Sequence, residues 1–276
     1  TIDGDITNSG TIEAGDGMAS IYVAATTVGG SVMNSGTLKG YMYVDGASAT
    51  NNGLLATGSE DSYVSGDYTQ GAAGTFRFDA TSSAAFNTLG VDGIATFSGT
   101  GKLSVDVQSG HTLADADVLN DVVSAGTLTA TGFQVSDNNL ALAFTAAIDA
   151  NTVDLTVSET GLTTVEAAAL ASGLKSAQQA AQAVDNVMNQ DPSSEMAFLF
   201  GSLNTSGQVA GALESVLPSA AGNFAQASIG ISQDVSSVVN SRQLGLSGVS
   251  SGDEMLMNKQ IYSDSFLKVY TVVNKA

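Results

Sequence analysis

The chain has 276 residues and a formal net charge of -19, and 43% of its residues are hydrophobic while only 6% are aromatic. Such an acidic surface repels nucleic-acid phosphates and anionic membrane surfaces, so nucleic-acid binding is excluded from the expected functions. There is no cysteine, which excludes a disulfide scaffold and is compatible both with a reducing cytosol and with export of an unfolded chain.

The part of the chain at positions 1–160 consists of short strand-like runs that are rich in Gly, Thr, Asn and Asp. It holds 21 of the 31 glycines, no proline, and 18 acidic against three basic side chains. Residues 8–12 (NSGTI) recur as residues 34–38 (NSGTL), and a weaker copy follows at residues 51–55 (NNGLL). In each copy Asn and Gly are turn residues that tolerate positive φ, and a β-branched or aliphatic residue then re-enters a strand. Repetition at roughly 20 residues predicts a solenoid of stacked strands.

Four later segments alternate between apolar residues and polar or small ones, as half-buried strands do. Their apolar positions are Phe76 and Phe78; Leu103, Val105 and Val107; Leu140, Leu142 and Phe144; and Val153, Leu155 and Val157. The absence of proline suits uninterrupted backbone ladders, because each proline would remove a donor. These features predict a mainly β fold. A parallel β-helix is the first choice, and a two-sheet sandwich, whose strands recur at similar spacing, is the alternative.

An ordered set of short motifs in the later part of this region resembles a known family. The set comprises residues 66–70 (GDYTQ), 74–76 (GTF), 86–95 (FNTLGVDGIA), Phe133 with residues 135–138 (VSDN), 144–145 (FT) and 151–157 (NTVDLTV). Together they resemble the end of the passenger domain of bacterial autotransporters, the proteins of type V secretion. The resemblance implies a right-handed parallel β-helix of the pectin lyase-like kind. It also implies that residues 66–160 form a C-terminal cap and an autochaperone-like region that helps the passenger to fold after export.

After residue 161 the sequence becomes helical. A first helix is expected to begin at a capping box made by Thr163 and Glu166, with Leu162 as its hydrophobic staple. Its narrow apolar stripe is Leu170, Leu174, Ala177, Ala181, Val184 and Met188. Such a stripe usually packs in a small helical bundle or docks a partner. Lys and Arg are scarce on the polar face, which disfavours binding to a membrane surface.

Three further helices are predicted. Asp191 and Pro192 are expected to end the first helix and to begin the second, as its N-cap and its first residue. A third helix opens at Ser206 and closes near Pro218. A fourth carries Phe224, Ala227, Ile231, Val235 and Val238.

The helical segment also resembles the linker of autotransporters. The matching positions are Leu199, Leu203, Leu213, Val216, Pro218, Phe224 and residues 238–243 (VVNSRQ). Residues 250–253 (SSGD) resemble the run before the first barrel strand, and residues 261–273 have the length of a tilted barrel strand. The resemblance divides the chain into passenger rungs at residues 1–65, a β-helix cap at 66–160, an α-helical linker at 161–250 and a truncated β-barrel start at 251–276.

No catalytic, cofactor-binding or metal-binding residue is assigned, and no cofactor is expected. His111 is the only histidine; we expect it in an exposed turn, because a catalytic base needs a nucleophile and an orienting acid nearby. Asp115, Asp117 and Asp121 lie close together in the sequence but fit neither an EF-hand nor a calcium-binding repeat. Three further acids are candidates for one groove-lining face, as in β-helices that cleave polysaccharides: Asp79, Asp92 and Asp106.

The resemblance therefore implies a piece of an autotransporter that supports export, folding and surface display of an adhesin-like passenger, and no enzymatic activity of its own is expected. The expected partners are its own outer-membrane β-barrel, the outer-membrane assembly machinery, and host matrix or glycans. The expected location is the cell surface or outer membrane of a Gram-negative bacterium, or the medium after secretion. The first residue is threonine and no signal peptide is found, so we expect an internal piece of a longer protein. A carbohydrate-active β-helix enzyme and an adhesive or surface-layer binding module are the alternatives.

Overall fold

The computed structural model describes residues 4–15, 17–24 and 29–216. These residues form a mainly β fold whose parallel sheets curl into a half-barrel. The strands are β1 (Ile6–Asn8), β2 (Thr11–Glu13), β3 (Ala19–Val23), β4 (Val32–Asn34), β5 (Thr37–Lys39), β6 (Tyr41–Val44), β7 (Ala49–Asn51), β8 (Leu54–Ala56), β9 (Ser62–Val64), β10 (Tyr68–Gln70), β11 (Thr75–Ser82), β12 (Ala85–Phe86), β13 (Leu89–Phe97), β14 (Gly101–Val107), β15 (Val118–Thr129), β16 (Phe133–Asp137), β17 (Leu142–Asp149) and β18 (Thr152–Glu159). The helices are α1 (Val165–Ala171), α2 (Gln178–Gln190), α3 (Glu195–Gly201) and α4 (Ser206–Val216), with a 3-10 turn at Lys175–Ala177.

The strands stack in parallel ladders, and each repeat of the sequence adds one strand to a ladder. The first ladder runs β1, β4, β7, β10, β13 and β15, and the second runs β2, β5, β8, β11, β14 and β16. A third joins β3, β6 and β9 to β13. In the first ladder Asn8 lies opposite Asn34, and Asn34 lies opposite Asn51. The repeat seen in the sequence is therefore the unit of stacking.

Each ladder has an inward row of apolar side chains, one from each unit. In the second ladder this row is Ile12, Leu38, Leu55, Phe76 and Leu103. The last four are at most 1% exposed. Because full burial of such a side chain contributes about 1.5–3 kcal/mol, these rows hold the units together. The predicted alternation is confirmed for β11 and β18 by their burial patterns. In β14 the apolar positions are buried, but Ser104 and Asp106 are buried as well, so the predicted exposure of the polar positions is wrong there.

A row of buried asparagines runs through the first ladder. The Nδ2 amide of Asn8 donates to Oδ1 of Asn34 at 2.9 Å, and Nδ2 of Asn34 donates to Oδ1 of Asn51 at 2.8 Å. Each Oδ1 also accepts the backbone N–H of the glycine two positions on, in Gly10, Gly36 and Gly53 respectively. Buried amides are costly unless they are hydrogen-bonded, and here each one is bonded to the next unit. We call this row the asparagine ladder.

The glycines of the repeat are required for a reason that differs from the predicted one. None of Gly10, Gly36 and Gly53 has a positive φ, so their tolerance of positive φ is not what the turn uses. A Cβ on Gly36 would lie 2.0 Å from the carbonyl oxygen of Gly10, and a Cβ on Gly53 would lie equally close to that of Gly36. Glycine is therefore needed because the preceding unit packs directly on it.

The last strands close the stack with a different pairing. β15 pairs antiparallel with β18, which pairs antiparallel with β17. Leu140 was predicted to open the strand that corresponds to β17. It instead precedes that strand and packs, 4% exposed, in a second apolar cluster with α1, α2, α3 and α4. Strands end at Glu159 and helices begin at Val165, whereas the division into four segments stays a prediction.

The first predicted helix consists of two helices. Gly173 has a φ of 81° and separates α1 from the 3-10 turn and α2. The predicted capping box is wrong: Thr164, not Thr163, is the N-cap and accepts from Ala167 N–H. Glu166 instead accepts from the side-chain amides of two glutamines of the following segment, Gln178 and Gln182.

The second predicted helix begins later than expected. Asp191 is the C-cap of α2, and Ser194 is the N-cap of α3, accepting from Ala197 N–H at 3.2 Å. The third helix begins at Ser206 as predicted. The fourth predicted helix and the predicted barrel strand at residues 261–273 lie outside the described residues.

We expect Gly36→Ala to lower the free energy of unfolding by about 1–3 kcal/mol, because its Cβ would push two units apart. Gly10→Ala is the matched control: no described atom lies within 4 Å of its Cβ. Its free energy of unfolding is expected to stay within about 1 kcal/mol of the wild type. Urea denaturation followed by circular dichroism measures both. If both variants lost the same free energy of unfolding, the close approach of the preceding unit would not be the reason why position 36 requires glycine.

Candidate functional site

The outer face of the second ladder carries a block of polar side chains. Register places Arg77 beside Ser104 and Asp79 beside Asp106, and it places Ser104 beside Ser136. They alternate with apolar residues that are buried in β11 and β14 and partly buried in β16, so they lie on the opposite face from the core. The sequence thus assembles a basic, a hydroxyl and an acidic group on neighbouring strands.

Asn138 follows β16 and connects this block to the helical segment. Its Nδ2 donates to Oδ1 of Asp106 at 2.7 Å and to the carbonyl oxygen of Pro192 at 2.9 Å. Its Oδ1 accepts the backbone N–H of Val107 at 2.7 Å. One buried amide therefore links β14, the end of β16 and the residues that lead into α3.

Arg77 forms the second connection to α3. Its guanidinium lies 3.6 Å from the ring centroid of Phe198, in the geometry of a cation–π contact, and 3.3 Å from Oε1 of Glu195. Because Glu195 is largely exposed, the ion pair itself contributes about 0–1 kcal/mol. A Cβ on Gly201 would lie 2.4 Å from the carbonyl carbon of Asn138. Glycine at this position therefore lets α3 lie directly on the β part.

The position of Asp106 changes its acidity. It is 9% exposed, and this burial, together with the nearby Asp79 carboxylate, raises the pKa of Asp106 to about 7. Arg77 and the Asn138 amide act in the opposite direction, while Asp191 adds to the rise. Near neutral pH this carboxyl can therefore hold or release a proton, as a general acid or base must.

A cavity of about 560 Å³ lies beside this polar block. It is lined by residues of five successive units, and by Pro192 and Ser193. The lining includes Glu13, Lys39, Thr57, Asp79 and Gln108. Since neighbouring strands lie roughly 4.8 Å apart, a groove across five units is about 20 Å long. Its shape suits an extended ligand more than a compact one.

His111 lies at a second cavity, of about 280 Å³, between the β part and the helices. Its backbone N–H donates to the carbonyl of Gln108, as in the predicted turn. The side chain, predicted to be exposed, is only partly so. Its Nε2 accepts from the Asn139 amide at 2.9 Å. Nearby Asp137 is 2% exposed, and burial raises its pKa to about 8.

The structure brings together two of the three predicted groove-lining acids. Asp79 and Asp106 are register partners at the larger cavity. Asp92 lies in the first ladder instead, where its carboxylate accepts a hydrogen bond from the Tyr63 hydroxyl. This bond is the main reason why the pKa of Tyr63 is raised to about 12.

The aspartates near β15 serve the backbone. Oδ2 of Asp117 accepts the N–H of Ala114 at 3.0 Å, and the N–H of Asp121 donates to Oδ1 of Asp154 at 2.8 Å. In the described ranges, no group of three or more His, Cys, Asp or Glu side chains could hold a metal ion.

Sequence reasoning missed Arg77 and Asn138 as site residues. Arg77 carried a usable signal, since it is one of only three basic residues before residue 161 and stands between Phe76 and Phe78. Asn138 carried none, because its role depends on Pro192, which is distant in the sequence.

A scan against protein-family models and a search of curated proteins found no match for the chain. Across the described residues, no helix has both the length and the apolar character needed to cross a membrane.

We expect Asp106 to make stability depend on pH. The folded state holds its proton up to about pH 7, against 3.8 for the ordinary carboxyl. The contribution of the Asp106 carboxyl to the free energy of unfolding is therefore fully present below about pH 3.8, and it is lost as the pH rises through about 7. Asp106→Asn should exceed the wild type in free energy of unfolding by about 1–3 kcal/mol near pH 8. This difference should shrink towards pH 4.

Urea denaturation at a series of pH values tests this expectation. Asp115→Asn is the matched control, because Asp115 is exposed. Its effect on the free energy of unfolding should be small, because substitutions at exposed positions change stability little. A pH-independent effect of Asp106→Asn would contradict the assignment.

Proposed function

We propose that the chain is the C-terminal part of an autotransporter passenger with its helical linker, and that it supports export, folding and surface display of that passenger. In this proposal the parallel ladders form a right-handed β-helix. The observation that carries the proposal is a difference between the two ends of the stack: the first unit is open and the last one is closed.

The open end is formed by β1, β2 and β3. Among the described strands, each of these pairs on one side only, as β16 and β17 also do at the other end, so the two ends differ in how the core is covered and not in the presence of edge strands. Ile12 is 36% exposed, although the residues in register with it, Leu38 and Leu55, are fully buried. The core and the backbone ladders thus end at a surface to which another unit can be added.

The closed end is formed by the antiparallel strands β15, β18 and β17, and the helices follow it. Val153, Leu155 and Val157 of β18 are at most 1% exposed, and they complete the core of the β part. Phe200 of α3 and Leu140 join the helical cluster, while Arg77 and Asn138 attach α3 to the outer face. At this end the core of the last unit is covered by β18 and the helical cluster, while β16 and β17 remain edge strands.

These two ends give folding a direction. Adding a unit to a folded neighbour closes only a short loop and buries an apolar row at once, which is far less costly than forming the first unit. A chain that emerges with its C-terminal end first would fold this closed region and then extend it towards the open end. The acidic composition, with a net charge of -19, would keep the displayed surface soluble.

The proposal places the protein at the surface of a Gram-negative bacterium, or in the medium after release. Its partners there would be its own outer-membrane β-barrel and the outer-membrane assembly machinery. An adhesin-like passenger would then meet host matrix or glycans.

Surface labelling and proteolysis of intact cells test the proposal. The chain has no cysteine, so Glu60→Cys, at an exposed turn, gives a single labelling site. We expect a membrane-impermeant maleimide to label it on intact cells. Deletion of residues 66–158 should leave the labelling but make residues 1–65 sensitive to protease.

A matched pair of point variants refines this test. Leu155→Asp places a charge at a fully buried position of β18 and should reproduce the protease sensitivity, whereas Ile148→Asp in β17 should not, because Ile148 is 44% exposed. Labelling only after cell lysis would contradict surface display. Unchanged protease resistance in the deletion would contradict the folding role.

A carbohydrate-active function is the second candidate, and the carboxylate pair favours it. Asp79 and Asp106 are register partners at the 560 Å³ cavity, and the pKa of Asp106 is raised to about 7 by burial and by Asp79. Parallel strands lie about 4.8 Å apart, which is near the separation of about 5–5.5 Å between the two carboxyl groups of retaining glycosidases. Asp106 would then be the acid and Asp79 the nucleophile.

Release of oligosaccharides from a panel of neutral and acidic polysaccharides tests this candidate. We expect release by the wild type and its loss in Asp106→Asn, with Asp92→Asn as the control away from the cavity. Binding of a polysaccharide without release would favour an adhesive or surface-layer module instead. If the protein neither binds nor cleaves any of the polysaccharides, a carbohydrate role for the groove is refuted.

A further inference from the structure

The asparagine ladder has a direction, and its first member has a free acceptor site. Oδ1 of Asn34 accepts two hydrogen bonds, one from Nδ2 of Asn8 and one from the N–H of Gly36. Oδ1 of Asn51 likewise accepts from Nδ2 of Asn34 and from the N–H of Gly53. Among the described contacts, Oδ1 of Asn8 accepts only the N–H of Gly10. The ladder thus ends at an oxygen that can accept one more amide donor.

Gly10 provides a second, independent observation at this end. Gly36 and Gly53 are glycines because a carbonyl oxygen of the preceding unit lies where a Cβ would be. Gly10 holds the same register position and has no positive φ, yet no described atom approaches its Cβ within 4 Å. Nothing in the described residues requires glycine there. A preceding unit that placed its own carbonyl on Gly10 would require it.

The tyrosines of the third ladder end in the same way. Tyr22, Tyr43 and Tyr63 stack along the outer face, with ring centroids 4.9 Å and 5.4 Å apart. One face of the Tyr22 ring lies on Tyr43, and its side chain is 63% exposed. Another aromatic ring could continue this stack.

We propose that the open end formed by β1, β2 and β3 binds a further strand–turn segment in parallel, and that it selects a segment with an asparagine opposite Asn8 and a close carbonyl on Gly10. The inference rests on the proposed function, of which it names the partner. The occupant is an extended peptide with the chemistry of the repeat itself: an asparagine, then a tight turn, then an aliphatic residue. Selection follows from hydrogen bonding, because an asparagine in register with Asn8 would donate to its Oδ1 as Asn8 donates to Asn34, whereas an apolar side chain there would cover this oxygen without a donor.

Addition of one unit to the chain tests the proposal. A copy of the segment 32–48 is fused directly ahead of Asp5. In the fused chain, the number of residues from the copied valine to Ile6 lies between the lengths of two native steps of this ladder. These native steps run from Val32 to Ala49 and from Ala49 to Tyr68. We expect the urea midpoint to shift upwards, and the backbone amides of the copy to exchange as slowly as those of β4 and β5.

Two variants show whether the end selects its partner. Replacing the asparagine of the copy by leucine removes the donor to Asn8 and should abolish most of the shift. Gly10→Ala leaves the unextended chain unchanged but should abolish the shift in the extended chain, because the Cβ blocks the carbonyl of the copy. Combining the two variants measures the coupling between the extension and these positions.

Three results would overturn the proposal. The first is an unprotected copy and an unchanged midpoint. The second is an equal gain in stability whatever residue replaces the copied asparagine. The third is a concentration-dependent dimer of the unextended chain that Gly10→Ala disrupts, which would assign this end to a second copy of the chain. Because all readouts come from purified protein, a failure of surface labelling in cells would refute the proposed function separately.

Discussion

The close parallel stacking of the repeat units is the constraint on which the rest of the structure depends. Because one unit rests on the backbone of the next at Gly36 and Gly53, the strand residues of a unit lie directly above their counterparts. Apolar residues then form buried rows, asparagines form a hydrogen-bonded ladder, and tyrosines form a stack. The same constraint fixes the outer face, where it places Asp79 beside Asp106.

The sequence allowed the repeat, the strand alternation and the onset of helices to be predicted, because each depends on local spacing. The purpose of the repeated residues could not be predicted, since Asn34 and Gly36 make their contacts to another unit of the stack. Helix boundaries were displaced for a similar reason. Asp185 of α2 accepts the N–H of Val165 and of Glu166, so the start of α1 is satisfied from a distant position.

The candidate site was predictable in part. Three acids were expected on one face, and register joined Asp79 to Asp106 because they lie on strands that are neighbours in one ladder. Asp92 belongs to a different ladder and so faces Tyr63. Burial of Asp106 could not be foreseen, since it depends on Asn138 and on the segment at Pro192 folding back over β14. The packing of the segment at Pro192 against the strands thus forms part of the cavity wall, and burial raises the pKa of Asp106 although the Asn138 amide acts in the opposite direction.

The unequal lengths of the units have a consequence for how such a protein can diversify. In the first ladder the step from Asn34 to Asn51 is much shorter in sequence than the steps from Asn8 to Asn34 and from Gln70 to Phe97, yet the partners stay in register at each step. The difference is taken up by the connecting segments at the periphery. Insertions there need not disturb the buried rows, because loop closure becomes only slowly more costly with length. Natural selection can therefore remodel the periphery of such a molecule, and with it whatever that periphery recognises, while the interior is inherited unchanged.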